Sequence, residues 1–378
     1  MDYSLERPVY VTKPLLPELE RVNMKMSEVW ESGWITNTGS QHRELEKKLK
    51  KYLTVDNISL FNNGTLALLL GIKSLGLKGE VITTPFTFPA TVQALDWNGL
   101  TPVFCDIESN TLNIDVTKIE ELITEKTSAI LGVHVFGNPC DVVRIEEIVN
   151  KYNIKVIYDG AHSFGTKING NPISNYGDMT MFSFHATKLF NTIEGGALIV
   201  KDQNLLEKLS ALKNFGLLGT DNVSFSGLNA KMNEVQAGIG LEVLKIVNEE
   251  REKRKNIKQL YDTCFSLIPG IRTVTNLENE ESSYQYYVIE IDEELFGRNR
   301  DWVFEELKKY NVFTRKYFNP LCSEFPWYKN LKSAQPEHLP VAHSIVKRVL
   351  SLPFYGELDL RSVRNICEIF QYFYNSSR

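Results

Sequence analysis

Between residues 57 and 200 the chain alternates short runs of apolar, β-branched-rich residues with longer stretches whose apolar positions recur every three or four residues. The runs NISLF (57–61), EVITT (80–84), TPVFCDI (101–107), SAILGVHVF (128–136), KVIYD (155–159), MTMFSF (179–184) and ALIV (197–200) are predicted strands. TLALLLGIKSL (65–75), ATVQALDWN (90–98), VTKIEELIT (116–124) and VVRIEEIVNKY (142–152) are predicted helices. In the last of these, Val142, Ile145, Ile148 and Val149 fall on one face while Arg144, Glu146 and Glu147 point away. Strand and helix in alternation predict an α/β fold, with a mostly parallel sheet covered by helices on both faces. The pattern changes after about Asn233, where one long helix is predicted over 233–267. Its charged middle, NEEREKRKNIK (248–258), reads as a solvated face. Beyond it lie a strand-like SYQYYVIEI (283–291), a helical RDWVFEELKKY (300–310) and a terminal helix from about Asp359. No repeat or low-complexity tract interrupts the 378 residues. The expected division is a large domain, residues 1–245 with an N-terminal arm, and a smaller C-terminal α/β domain, residues 246–378.

Composition removes several functional classes. Lys+Arg at 42 against Asp+Glu at 47 leaves a net charge of −5, and no long basic block is present, so nucleic acid is not an expected partner. With 20 Phe, 16 Tyr and 5 Trp the chain is too rich in core-forming residues for a disordered protein. No run approaches the ~18 apolar residues of a membrane helix. The opening MDYSLERPVY carries no apolar signal-type segment, so the expected location is the cytoplasm. The five cysteines, at 105, 140, 264, 322 and 367, form no CxxC pair, and the six histidines form no HxxxH or HExxH arrangement. No metal site is expected.

Ligands of open parallel sheets gather beyond the carboxyl ends of the strands, so the residues placed there are the candidates for chemistry. After 57–61 comes Asn63-Gly64-Thr65, opening a helix: either a turn and cap, or a backbone cradle for a phosphate. After 80–84 comes PFTFP (85–89), whose aromatics either plug a core edge or stack on a flat ring. After 155–158 come Asp159 and His162. A carboxylate at the end of a buried strand is a cap, one half of an ion pair, or the holder of a cationic ligand atom. After 179–182 come Ser183, His185 and Lys188, then Glu194-Gly195-Gly196. Lys188 stands among Phe182, Phe184, Leu189 and Phe190; it is either a snorkelling lysine or a desolvated one able to form a Schiff base.

Together these parts match one cofactor. Pyridoxal phosphate requires an anion site, a ring-stacking aromatic, a carboxylate for its pyridine nitrogen and a lysine for its aldehyde, and all four fall at strand ends of one α/β domain. The order of phosphate loop, Asp and Lys resembles the fold-type-I pyridoxal phosphate enzymes. The motifs GWITNTG (33–39), NNGTLAL (62–68), TPFTFPATVQAL (84–95), PVFCDI (102–107), DGAHSFG (159–165), SFHATKLFNTIEGG (183–196), GLNAKMNEVQAGIGL (227–241), RKYFNPL (315–321) and LPVAHSIVKRVLSLP (339–353) resemble, in register and over nearly the whole chain, the DegT/DnrJ/EryC1/StrS sugar aminotransferase family.

That resemblance implies roles. Lys188 corresponds to the lysine that bonds the cofactor aldehyde and then shuttles a proton. Asp159 corresponds to the partner of the pyridine nitrogen, and Phe88 to the ring-stacking aromatic. Gly64, Thr65 and Ser183 correspond to the phosphate-binding set. His162, where many relatives carry Gln, faces the cofactor ring oxygen. Asn229 matches a residue that reaches the cofactor phosphate from the neighbouring subunit, which implies a homodimer with shared active sites. His185, Arg315 and Tyr317 are candidates near the substrate. The implied reaction moves an amino group from L-glutamate to a nucleotide-linked keto sugar. SFHATK followed by EGG resembles the 4-keto-6-deoxy branch, implying a dTDP-4-keto-6-deoxyhexose and a viosamine-type product for O-antigen or other surface polysaccharide. Alternatives are a 3-keto aminotransferase, whose relatives often read GDGG at 194–196, a pyridoxal-dependent dehydratase, disfavoured by Lys188, and a non-catalytic regulator that keeps the fold.

Overall fold

The computed structural model describes residues 4–274 and 280–377. Its centre is a seven-stranded sheet in the order Ile58–Phe61, Gly196–Val200, Met179–Ser183, Lys155–Asp159, Thr127–Val133, Glu80–Thr83, Thr101–Phe104. Every pairing is parallel except the two made by Gly196–Val200, which runs antiparallel to both of its neighbours. The strands are nearly continuous in apolar residues because both faces are covered. Helices Gly64–Leu75, Pro89–Asp96 and Val142–Tyr152 form as predicted, to within a residue or two at the ends.

Three predicted strands are shorter than expected, two ending early and one starting late, each where a side chain or a turn claims the backbone. TPVFCDI leaves the sheet after Phe104, where buried Asp106 accepts the amides of Val341 and Ala342 and an ion pair from Lys118. SAILGVHVF ends at Val133, and Phe136 turns to a φ of 56°. In SYQYYVIEI only Tyr287–Ile291 is strand. The preceding residues dock on the large sheet's loops instead: the Gln285 amide oxygen accepts the Leu189 N–H at 2.6 Å, and its nitrogen donates to the Thr187 carbonyl at 2.9 Å.

Two helices near the amino end, Leu19–Ser32 and Ser40–Leu53, were not predicted from the pattern. The second is started from afar. Buried Glu234 accepts the amides of Gly39, Gln41 and His42 at 2.8, 2.7 and 3.3 Å, a carboxylate at a helix N-terminus. Glu234 itself opens the long helix Glu234–Phe265, which Asn233 and Gln236 start with a reciprocal capping box. The first half of that helix buries Ala237, Ile239, Leu241, Val243 and Val247 with Leu60 and Phe182 of the large sheet and Phe190 of the loop after Met179–Ser183. Its second half buries Ile257, Tyr261 and Phe265 against an antiparallel three-stranded sheet, Ile271–Thr273, Tyr287–Ile291 and Val349–Leu352, and the terminal helix Leu360–Ser376.

The charged run in the middle is only partly a solvated face. Glu249, Glu252, Lys253 and Lys255 are exposed, but Glu250 and Arg254 are buried, paired at 2.6 Å. Glu250 also accepts the Gly356 amide, and Arg254 donates to the Tyr284 carbonyl, so this ion pair joins the long helix to both segments that cross it. These extra hydrogen bonds offset part of the cost of burying the pair, although the Arg254 Nη2 has no hydrogen-bond partner among the described residues. Among the described residues no helix is long and apolar enough to cross a membrane.

Candidate active site

The carboxyl ends of strands Thr127–Val133, Lys155–Asp159 and Met179–Ser183, the start of helix Gly64–Leu75 and the loop carrying Lys188 enclose a cavity of about 250 Å³. At its floor the Asn63 side chain caps the helix by accepting the Leu66 amide at 2.8 Å, so the amides of Gly64 and Thr65 precede the first satisfied one. The approach is close. A Cβ on Gly64 would lie 3.1 Å from the Ser183 Cβ and 3.2 Å from the Met181 sulfur. A Cβ on Gly196 would lie 2.7 Å from the Gly64 backbone, which explains a glycine at the end of Glu194-Gly195-Gly196: strand and loop touch there.

Asp159, the last residue of its strand, is 5% exposed. One carboxylate oxygen accepts the Thr91 hydroxyl at 2.7 Å, and the other accepts the Ala161 amide at 3.0 Å. Thr91 is in turn 2.7 Å from the hydroxyl of Thr87, in the loop just before the helix. Burial pushes the Asp159 carboxyl above the usual carboxylate range, opposed by these two hydrogen bonds and the charge of Lys188. His162 is buried beside it, its ring nearly parallel to those of Phe136 and Phe318 and edge-on to Tyr286. Its Nδ1 accepts the Phe136 amide at 3.3 Å, which makes Nε2 the nitrogen that carries hydrogen. Burial and the nearby lysine hold its pKa well below the ordinary value, so the ring is neutral.

Lys188 follows a tight turn in which its amide donates to the His185 carbonyl at 2.8 Å. Burial lowers its amine from 10.5 to about 8, with Tyr317 and Asp159 opposing the shift. The aromatic neighbours are not the ones adjacent in sequence. Phe182, Phe184, Leu189 and Phe190 pack with Phe164 in the core, whereas the amine lies 5.7 Å from the centre of the Tyr286 ring. Tyr286 meets Tyr317 edge-on, and the Arg315 guanidinium sits 4.9 Å from the Tyr317 ring centre.

The cavity thus gathers Gly64, Thr65, Phe88, Asp159, His162, Ser183, His185, Lys188, Arg315 and Tyr317. Phe88 forms part of the wall with 51% of its surface exposed. Asn229 is not in the cavity of its own chain; it is exposed, on a segment bridged to Asn214. Two contributors escaped sequence reasoning. Thr91 orients Asp159 from the first turn of helix Pro89–Asp96, where the sequence marks it only as one hydroxyl in a mostly apolar stretch. Tyr286 was hidden in a stretch read as strand, and only tertiary packing brings it to Lys188.

A mostly parallel sheet with a buried carboxylate, a phosphate-ready helix start and a desolvated lysine around one cavity defines the class of transferases that work through pyridoxal phosphate. Residues 18–371 match the model of the DegT/DnrJ/EryC1/StrS aminotransferase family. Escherichia coli dTDP-4-amino-4,6-dideoxy-D-glucose transaminase is 43% identical over 367 residues, covering 96% of this chain and 98% of that protein. The structure of DesI, determined in the presence of its TDP-sugar product, superposes with a TM-score of 0.94 at 33% identity, over 99% of this chain and 95% of that one. Helicobacter pylori PseC, an aminotransferase of pseudaminic acid biosynthesis, superposes with a TM-score of 0.91 at 28% identity, over 98% of this chain and all of that one. The chain belongs to the DegT/DnrJ/EryC1/StrS family and is a pyridoxal phosphate-dependent aminotransferase.

Proposed function

We propose that the enzyme transfers an amino group from L-glutamate to carbon 4 of a nucleotide-linked 4-keto-6-deoxy sugar, converting dTDP-4-keto-6-deoxyglucose to dTDP-4-amino-4,6-dideoxyglucose. The observation that carries this reading is the 43% identity, end to end, with the Escherichia coli transaminase of that name. The product is an activated amino sugar, the form a glycosyltransferase consumes when it builds a surface polysaccharide such as O-antigen. The reading includes a cytoplasmic homodimer, with Asn229 serving the partner's site. It also includes a two-domain division near residue 245, inside helix Glu234–Phe265.

The residues present fit the cofactor. Gly64 leaves a space that a side chain would fill, and the amides of Gly64 and Thr65 with the Ser183 hydroxyl are suited to receive its phosphate. Asp159 is a buried carboxylate held only by a hydroxyl and an amide, and a protonated ring nitrogen completes its environment. When bound, pyridoxal phosphate supplies an electron sink for the bond broken at the substrate carbon. Asp159 would hold the protonated ring nitrogen, Phe88 would provide an apolar wall for the ring, and the neutral His162 would offer its Nε2–H to a ring oxygen. Lys188 would be the anchor for the aldehyde and the base that moves a proton to and from the substrate carbon. An amine lowered to about 8 is half in the free-base form at that pH, as a proton acceptor must be.

Product mass spectrometry tests the assignment. The enzyme is incubated with glutamate and a panel of dTDP-, UDP- and GDP-linked 4-keto and 3-keto sugars. The expected result is one new amine on dTDP-4-keto-6-deoxyglucose and stoichiometric 2-oxoglutarate. Preferential amination of a 3-keto sugar overturns the position, and no amination of any sugar overturns the function.

A further inference from the structure

Glu194 lines the cavity at the end of a strained turn. Its amide donates to the Thr192 carbonyl at 2.9 Å, closing a three-residue turn whose central residue, Ile193, has φ 67°. A β-branched residue at positive φ is a genuine outlier, and the γ-turn of this hand is rare and strained. The surroundings hold it in place. The Ile193 amide donates to the Asn191 side chain at 3.2 Å, and the Thr192 hydroxyl and Gln236 amide donate to the Glu194 carbonyl at 2.7 and 2.6 Å. Strain kept by such a set of bonds marks a side chain whose direction matters. Glu194 is aimed at His185. The His185 Nδ1 faces both the Thr187 hydroxyl, at 2.8 Å, and the Thr187 amide, which donates to it at 3.2 Å; an Nδ1 that accepts from both leaves the hydrogen on Nε2, which stands 3.6 Å from a Glu194 carboxylate oxygen. That gap is too long for a hydrogen bond, yet one hydroxyl oxygen can lie within hydrogen-bond reach of both atoms.

We infer that Glu194 and His185 form a donor–acceptor pair that reads a ring hydroxyl of the acceptor sugar, the one on the carbon next to the carbonyl. The imidazole Nε2–H donates to that hydroxyl, and the hydroxyl donates to the Glu194 carboxylate. Position favours this hydroxyl: His185 is in the same turn as Lys188, and His185, Glu194 and Lys188 line one cavity, so the pair faces the sugar bound for reaction at the lysine. Glu194 is therefore a specificity-determining residue of the sugar half-reaction. This inference rests on the sugar aminotransferase reading above.

The test uses the holoenzyme in two single-turnover halves, followed by cofactor absorbance: glutamate with the aldehyde form, then keto sugar with the aminated form. Glu194→Ala keeps the backbone bonds of the turn and removes the carboxylate. It is expected to slow the second half with dTDP-4-keto-6-deoxyglucose about 10- to 100-fold, the range for one hydrogen bond to a charged group, while the glutamate half changes less than threefold. With the analogue lacking the hydroxyl at carbon 3, wild type and variant are expected to react within threefold of each other. Equal rates of wild type and Glu194→Ala on the hydroxylated sugar overturn the inference. So do equal losses in both halves, or an undiminished difference on the deoxy analogue. Failure of wild type itself to aminate any keto sugar overturns the functional reading instead.

Discussion

Replacing Asp159 with asparagine should separate the fold from the chemistry, because the structure assigns the two effects opposite signs. In the native network the Thr91 hydroxyl donates to one carboxylate oxygen and the Ala161 amide to the other, with Thr87 next in the chain of hydroxyls. Asparagine can keep the Ala161 bond with its carbonyl oxygen. Its NH₂ can donate to Thr91, whose hydroxyl hydrogen then turns to Thr87, and the second amide N–H and the Thr87 hydroxyl hydrogen are left facing the cofactor-free cavity that both residues line. Burial already pushes the Asp159 carboxyl upward, so the charge is a burden on the cofactor-free protein. Cofactor-free Asp159→Asn should therefore melt at the wild-type temperature or slightly above. Catalysis should behave oppositely. Removing one preorganised electrostatic partner costs about 2.7–4 kcal/mol, a factor of roughly 10²–10³ in turnover. The assays are calorimetry of the cofactor-free protein and steady-state amination of the keto sugar. Turnover within threefold of wild type would refute the role of the carboxylate at the ring nitrogen. A fall in melting temperature of more than about 4 °C, roughly 3 kcal/mol for a chain of this length, would show that the carboxylate serves the fold.

Three further outcomes follow from the geometry. Borohydride should fix the cofactor on the peptide containing Lys188, and Lys188→Ala should bind pyridoxal phosphate without that bond and without turnover; labelling of another lysine would contradict the assignment. Lys213, 6% exposed with its amine on the Ser59 hydroxyl and the Leu60 carbonyl, is lowered by burial from 10.5 to about 8, so between those values the unfolded chain holds a proton that the folded one does not, and stability rises with pH. The rise is at most about 3 kcal/mol at 1.36 kcal/mol per unit, and urea midpoints at pH 7.5 and 10 should show it shrinking in Lys213→Met; an unchanged slope would refute the buried titration. Refolding Lys188→Ala together with Asn229→Ala should regain about a quarter of wild-type activity, since half of the dimers are mixed and one site in each is intact; no recovery, with the mixed dimer confirmed by mass, would refute the shared site.

What the sequence discloses here depends on how a side chain reaches the cavity. Ser183 and Asp159 are the last residues of buried strands, and Gly64 opens the helix after another, so backbone geometry alone carries them to one sheet edge. An apolar run and the residue that ends it were enough to find them. The setting of Lys188 was read from the wrong residues, because apolar neighbours in sequence do not reveal which way a loop turns. Phe182, Phe184 and Phe190 face the core with Phe164, and the residue that meets the amine, Tyr286, is delivered by the Gln285 bonds to the backbone of Thr187 and Leu189. Glu250 and Arg254 make the same point away from the cavity. Their burial depends on the Gly356 amide and the Tyr284 carbonyl, groups that no local charge pattern foretells. The long helix, with its halves in two cores, links these cases: by joining the large sheet to the small one it sets where residues 282–286 lie, and so brings Tyr286 to Lys188. A substitution that breaks the Glu250–Arg254 pair should therefore disturb the lysine's surroundings without touching any residue of the cavity.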